Sequence, residues 1–162
     1  KISVVRYGNV MGSRGSVIPL FLKQKKEKKV FTITDVNMTR FNITLKDSVN
    51  FVVNCLNKMK GGEIFVPKIP SYKILDLIKA IDPKSKFKII GVRPGEKIHE
   101  EMITESDSIN TQELKDCYII HPSYKKYINK GGKTFSYNSK NNNKFLSVEE
   151  LKKLIAENKR DF

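Results

Sequence analysis

Tryptophan is absent from this 162-residue chain, cysteine and histidine occur twice each, and no apolar run approaches the roughly 20 residues needed to cross a bilayer. Each scarcity closes off a class of protein. Cys55 and Cys117 lie in the apolar stretches FVVNCLNKM and LKDCYII, with neither the density of a disulfide scaffold nor the spacing of metal ligands, and read as buried reduced thiols. His99-Glu100-Glu101 is not a HExxH metalloprotease pattern, because position 103 is isoleucine, and His121 has no partner at ligand spacing. No metal site is expected. There is no Walker loop, no GxSxG elbow and no GxGxxG fingerprint. The amino-terminal KISVVRYG has none of the features of an export signal, so a cytoplasmic location and no membrane association are expected.

Acidic residues are also scarce, 17 against 31 basic ones, which leaves a formal net charge of +14. Such an excess raises the question of nucleic-acid binding. Only five of the 31 basic residues are arginine, and the lysines are scattered or fall in short runs such as KQKKEKK and SYKKYINKGGK. These runs lack the interleaved aromatics of a base-stacking platform, so no nucleic-acid partner is expected. The arginines are distributed differently: Arg6, Arg14, Arg40 and Arg93 lie in or beside turn-rich segments, and Arg160 lies in the tail. A planar, forked donor at a chain reversal points to recognition of phosphate or carboxylate.

What is present is enough apolar residue, 39% of the chain, for one ordinary globular domain with a core. Periodicity predicts a strand over Ile2–Tyr7, a turn over Gly8–Ser16 and an amphipathic helix over Val17–Glu27. Short strands are predicted at Val30–Thr34 and Phe41–Thr44. Thr44 and Asp47 make a capping-box-like start to a helix with Val49, Val52, Val53 and Leu56 on its apolar face, ended by Gly61-Gly62. A strand over Glu63–Val66 follows. Pro70-Ser71 then opens a helix with Ile74, Leu77, Ile78 and Ile81 inward, stopped by Pro83. Phe87–Val92 is predicted as a strand, Glu96–Ile103 as a helix with Ile98, Met102 and Ile103 on one side, and Cys117–Ile120 as a last strand. Residues 122–145 read as polar and irregular, and Ser147 with Glu150 caps a final helix carrying Leu151, Leu154 and Ile155. The alternation of helices and strands predicts an α/β or α+β unit.

Three clusters stand out chemically. In GNVMGSRG the glycines are explained by a tight turn needing positive φ, whereas Asn9 and Arg14 are not. Arg93-Pro94-Gly95-Glu96-Lys97 follows an apolar strand, at the edge where open α/β sheets collect ligands. There Arg93 offers a forked donor and Glu96 an acceptor for two vicinal hydroxyls, although a local Arg-Glu salt bridge accounts for the pattern equally well. Met38-Thr39-Arg40-Phe41 adds a further arginine at a loop–strand junction.

Four stretches in order, RYGNVMGSRGSVIPLF, ITDVNMTRFNITL, GGEIFVPKIPSYKILDLIKAI and IIGVRPGEKIHEEMI, resemble the carboxyl-terminal half of inverting UDP-N-acetylglucosamine 4,6-dehydratases. The late FSYNSKNNNKFLSVEELKKLI is similar to the tail of the same enzymes. This family belongs to the extended short-chain dehydrogenase/reductase superfamily and serves flagellin glycosylation, through sugars such as pseudaminic acid, and capsule synthesis. The resemblance implies an α/β fold: the last part of a Rossmann-like NAD(P)-binding fold over residues 1–29, a nucleotide-sugar-binding lobe over 30–121, and an irregular segment with a terminal helix over 122–162. It implies that the NADP loop, an Asp-Lys pair and the catalytic tyrosine and lysine lie upstream, so that no catalytic residue belongs to this chain and the chain alone has no turnover.

By the same resemblance, Asn9 contacts the sugar-diphosphate, and Tyr7, Gly8 and Val10 line the nicotinamide side. Arg14 lies between cofactor and substrate, while the Ser16–Pro19 backbone, Val17 included, approaches the uracil. Arg40 and Arg93 neutralise the pyrophosphate and Glu96 holds the ribose hydroxyls. The implied chemistry of the complete enzyme is oxidation at C4 by NADP, loss of water across C5 and C6, and return of hydride to C6 with inversion at C5. A UDP-sugar is the implied substrate and a homo-oligomer the implied assembly. Asn42 departs from the family, which commonly has tryptophan after Arg-Phe. Two other readings stay open: the lobe of a related nucleotide-sugar epimerase or reductase, and a cationic nucleic-acid-binding module.

Overall fold

A computed structural model describes residues 1–124 and 133–158. Arg160 and the middle of the 122–145 segment lie outside the described residues. The organising sheet has four strands in the order β1-β4-β9-β8, formed by β1 (Val4–Val5), β4 (Ile64–Pro67), β8 (Thr111–Glu113) and β9 (Cys117–Ile120). β1 runs parallel to β4, pairing Val4 with Ile64, whereas β9 is antiparallel to both β4 and β8. Three two-stranded pieces complete the β structure of the described residues. β2 (Phe31–Ile33) pairs in parallel with β6 (Phe87–Ile89), β3 (Thr39–Phe41) is antiparallel to β5 (Ser71–Lys73), and β7 (Glu101–Ile103) is antiparallel to β10 (Tyr137–Asn138). The α/β class expected from the sequence is the class observed.

Among the described residues there are five helices: α1 (Val17–Lys26), α2 (Leu45–Lys58), α3 (Ile74–Ile81), α4 (Glu105–Ser108) and, after the last strand, α5 (Val148–Glu157). Their ends follow local chemistry. Thr44 accepts the Asp47 N–H to start α2, and Ser147 and Glu150 form a reciprocal capping box on α5. One apolar core is built where α1, α3 and α5 meet β2, around the stacked rings of Phe21 and Phe31 and the fully buried Leu77 and Leu151. The inward set predicted for α3 is buried as a unit: Ile74, Leu77, Ile78 and Ile81. A second core lies under β3, with Phe41, Val66, Ile103 and Tyr137 at its centre.

Several local expectations are corrected. Residues 96–103 do not form a helix, because Glu101–Ile103 takes its hydrogen bonds from Tyr137–Asn138, about 35 positions along the chain, a pairing that local periodicity cannot register. The strand placed at Phe41–Thr44 instead covers Thr39–Phe41, and Thr44 is already the cap of α2. Residues 71–73 are a strand before α3 rather than its first turn, since β3 pairs with them. The strand predicted over Ile2–Tyr7 is reduced to Val4–Val5. α2 forms as expected, but the stripe read as its inward face points to solvent: Val49 is 53% exposed, Val53 51% and Leu56 62%. The α2 residues that are buried are Ser48 and Cys55.

A candidate anion-binding cleft

The loop between β1 and α1 needs its glycines for two different reasons. Gly12 and Gly15 sit at positive φ, 79° and 77°, which admits the chain reversal. Gly8 instead lies against β3, where an added Cβ would run into the Phe41 side chain. The loop delivers Ser16 to the start of α1 with extended backbone, φ −76° and ψ 165°, and without a side-chain cap. The Ser16 hydroxyl is buried and has no hydrogen-bond partner among the described residues. The first-turn N–H groups of α1 carry no side-chain cap from Ser16 and bring the positive end of the helix dipole to the same place.

That helix start forms one wall of a cavity of ≈ 270 Å³, whose lining includes Asn9, Gly15, Ser16, Val17, Arg40, Arg93 and Glu96. Leu20, Ile33, Met38 and Ile90 give it an apolar side. Residues far apart in the sequence thus meet: the β1–α1 loop, β3 and the turn after β6. In that turn the Glu96 N–H donates to the Arg93 carbonyl at 3.0 Å, and Glu96 Oε2 accepts the Arg93 N–H at 3.3 Å. Glu96 Oε1 also accepts from the Thr34 hydroxyl, 3.0 Å away.

The two arginines of the cavity are held differently. Arg40 is only 13% exposed, and its Nη1 donates to the carbonyls of Thr39 and Ile98 at 2.8 and 2.9 Å. Its Nη2 lies 3.9 Å from Glu96 Oε1 and its Nε 3.8 Å from Glu100 Oε1. Arg93 is exposed and makes no ion pair among the described residues. One guanidinium is therefore fixed and partly neutralised, while the other is free to fork onto an incoming anion.

Glu100 is the site residue that sequence reasoning missed. Burial pushes its carboxyl above the ordinary range, against the lowering effect of the Phe41 N–H and the Arg40 guanidinium. The available signal was period 2: residues 100 and 102 share a face in an extended segment, and Met102 is buried. His99, dismissed as a metal ligand, turns the other way and meets the Thr39 hydroxyl at 2.8 Å through Nδ1. Its pKa is lowered, first by desolvation and then by the Lys140 and Arg40 charges.

The remaining candidate residues do not line this cavity. Tyr7 and Arg14 are exposed, Pro19 is half-buried, and Val10 bridges to Ile43 and packs on the second core. Arg6, another arginine at a turn, is taken up by Asp107 and the Met102 carbonyl. Asn42, the departure beside Arg40, is buried at 4% exposure and donates its N–H to the Pro70 carbonyl at 2.9 Å. Among the described residues no group of three or more histidine, cysteine or acidic side chains is placed to hold a metal ion, and no helix is long and apolar enough to cross a membrane.

Residues 1–122 match the polysaccharide biosynthesis protein family, and the chain belongs to that family. Within it the chain is 49% identical to the inverting UDP-N-acetylglucosamine 4,6-dehydratase of Campylobacter jejuni, over 96% of this chain and 51% of the relative. It is 41% identical to the UDP-glucose 4-epimerase of Rickettsia canadensis, over 95% of this chain and 49% of that protein. In three dimensions it is similar to Pen from Bacillus thuringiensis, with a TM-score of 0.86 and 38% identity, covering 100% of this chain and 51% of the other. The chain thus spans about half the length of the relatives it matches.

Proposed function

We propose that this chain is the UDP-sugar-binding part of an inverting UDP-N-acetylglucosamine 4,6-dehydratase. The observation that carries the reading is the meeting of Arg40, Arg93 and Glu96 around one cavity at the amino-terminal end of α1. A diphosphate linking a nucleoside to a hexose presents two negative charges, which suit a guanidinium fork and free N–H groups at a helix start. Glu96 accepts from the ribose hydroxyls, the Ser16–Pro19 backbone lies along the uracil, and Asn9 meets the sugar-diphosphate. The similarity to a dehydratase of that name supports the substrate class.

For the whole protein the proposed reaction is oxidation at C4, loss of water across C5 and C6, and return of hydride to C6 with inversion at C5. NADP would supply the hydride chemistry and be held mainly by residues outside this sequence, with Tyr7, Gly8, Val10 and Arg14 at its nicotinamide end. The residues of this chain bind and orient, and the chain alone has no turnover. A cytoplasmic homo-oligomer completes the proposal. The name of the Rickettsia relative favours one second reading, the same lobe in a UDP-sugar epimerase.

The test is calorimetric titration of the chain with UDP-N-acetylglucosamine and UDP. Binding that Arg93→Ala weakens supports the proposal, and absence of binding by the unaltered chain overturns it. Binding to DNA that falls steeply with salt and ignores UDP would favour the cationic module instead. Release of a 4-keto-6-deoxy product by the chain alone would refute the claim that it lacks turnover.

A further inference from the structure

Resting on that reading, we infer that Glu100 is the positioning residue of the cleft: its carboxylate ties Asn9, on the β1–α1 loop, to Arg40 on β3. The side chain of Glu100 reaches three different groups. Oε2 accepts the Phe41 N–H at 2.9 Å, and Oε1 lies 3.8 Å from Arg40 Nε. The third group is the Asn9 amide. A carboxylate only accepts hydrogen bonds, so the amide must turn its nitrogen toward it, 3.2 Å from Oε2 and in contact with Oε1 as well.

The main chain of Glu100 is held just as firmly. Its N–H donates to the Ser139 hydroxyl at 2.9 Å, and its carbonyl accepts the Ser139 N–H at 2.7 Å. Ser139 is fully buried and its hydroxyl also meets Thr39 Oγ1 at 2.7 Å. Glu100 is therefore anchored from behind while its carboxylate faces the cleft wall. Without it, the 13%-exposed guanidinium would lose one of its two carboxylate neighbours and keep Glu96 with the Thr39 and Ile98 carbonyls, and Asn9 would lose its tie to β3. A carboxylate in this place also sets the charge balance, so that Arg40 orients an anion while Arg93 supplies the unpaired charge.

The groups facing Glu100 are few. Arg40 approaches from β3 and the buried Tyr72 from β5, with Glu96 on the far side of Arg40. His99 is turned away to Thr39, with Lys140 beyond it. Tyr72 stays neutral because burial raises its phenol.

Two measurements on the isotopically labelled chain decide the inference. The Asn9 side-chain amide and the Arg40 Nε–H are followed by NMR over about pH 4 to 8, a range that brackets a raised carboxyl. Both signals should move together with one midpoint above the usual glutamate value, and both should stop moving in Glu100→Gln. Independent behaviour, or a titration that persists in Glu100→Gln, overturns the inference without reference to any ligand. In the second measurement Glu100→Ala should weaken UDP-N-acetylglucosamine about tenfold, equivalent to one charge-assisted contact, while Glu100→Gln recovers most of it. Equal losses in both variants overturn positioning. If Glu100→Ala fails to fold, the Gln variant and the pH series still decide. Coupled NMR titration in a chain that does not bind the nucleotide sugar would sink the functional reading and leave the tie among these residues standing.

Discussion

Arg6 Nη1 donates to the Asp107 carboxylate at 2.9 Å and to the Met102 carbonyl at 2.8 Å, joining the residue after β1 to the start of α4 and to β7. Burial alone would raise the Asp107 carboxyl, but the Arg6 and Thr104 contacts outweigh it and hold the group below the usual aspartate range. The stability from this depressed group is therefore present above the unfolded aspartate value and is lost as pH falls through the lower folded one. With side chains 38% and 30% exposed, solvent screening limits the pair to about 1 kcal/mol. Asp107→Asn should lower the unfolding free energy obtained from urea titration at neutral pH by that amount and leave the chain less sensitive to acid. Unchanged acid sensitivity in the variant would refute the assignment.

Arg40 and Arg93 line one cavity yet should fail differently when truncated. Arg93→Ala removes an exposed side chain and should leave stability within about 0.5 kcal/mol, while weakening UDP binding by about 1.5 to 3 kcal/mol. Arg40→Ala removes the cation beside Glu100, which keeps the Phe41 N–H, while the Thr39 and Ile98 carbonyls keep the Ser139 hydroxyl and the Thr39 N–H, and should cost about 1 to 3 kcal/mol in stability. Parallel thermal melts and titrations separate the two. Equal melting losses would show that Arg93 is structural as well.

Gly8 tests how closely the loop is seated on β3. A methyl group there runs into Cβ of the fully buried Phe41, with Phe41 Cγ and Ile69 also in contact, so the loop or the strand must move. Gly8→Ala should destabilise the chain by about 1 to 3 kcal/mol, the usual range for overpacking. A neutral result in chemical denaturation would mean that the loop is not fixed against Phe41.

The two cysteines should be chemically quiet. Burial pushes the Cys55 thiol up to about 11, and it raises Cys117 as well. Both are buried and free, so few thiolates exist at neutral pH to attack a reagent. Their reaction with a chromogenic disulfide at pH 8 should be slow in the folded chain and fast in urea. Rapid reaction without denaturant would contradict that placement.

Where sequence reasoning succeeded and failed follows physical lines. α3 and α5 were legible because each carries a 3.6-residue apolar stripe that is in fact buried, and α5 also carries its own capping box. β7 was not, because Ile98, Met102 and Ile103 suit a helix as well as a strand, and the deciding partner, Tyr137–Asn138, is remote. Arg40, Arg93 and Glu96 could be picked out as turn residues with forked or acceptor chemistry. The role of Glu100 was hidden, since a glutamate in IHEEMI looks solvated until the chain is known to be extended there. Arg6 illustrates the opposite error, an arginine beside a turn whose charge is spent within the fold.

The outward stripe of α2 gives this chain two opposed solubility terms. A charge of +14 keeps molecules apart at low ionic strength, while Val49, Val53 and Leu56 offer a contiguous oily ridge. Added salt screens the repulsion, and sulfate strengthens apolar association, so the two terms exchange dominance as the buffer changes. Handling the chain in dilute, weakly buffered solution, and collecting it from ammonium sulfate on a phenyl resin, follows from that single misplaced face.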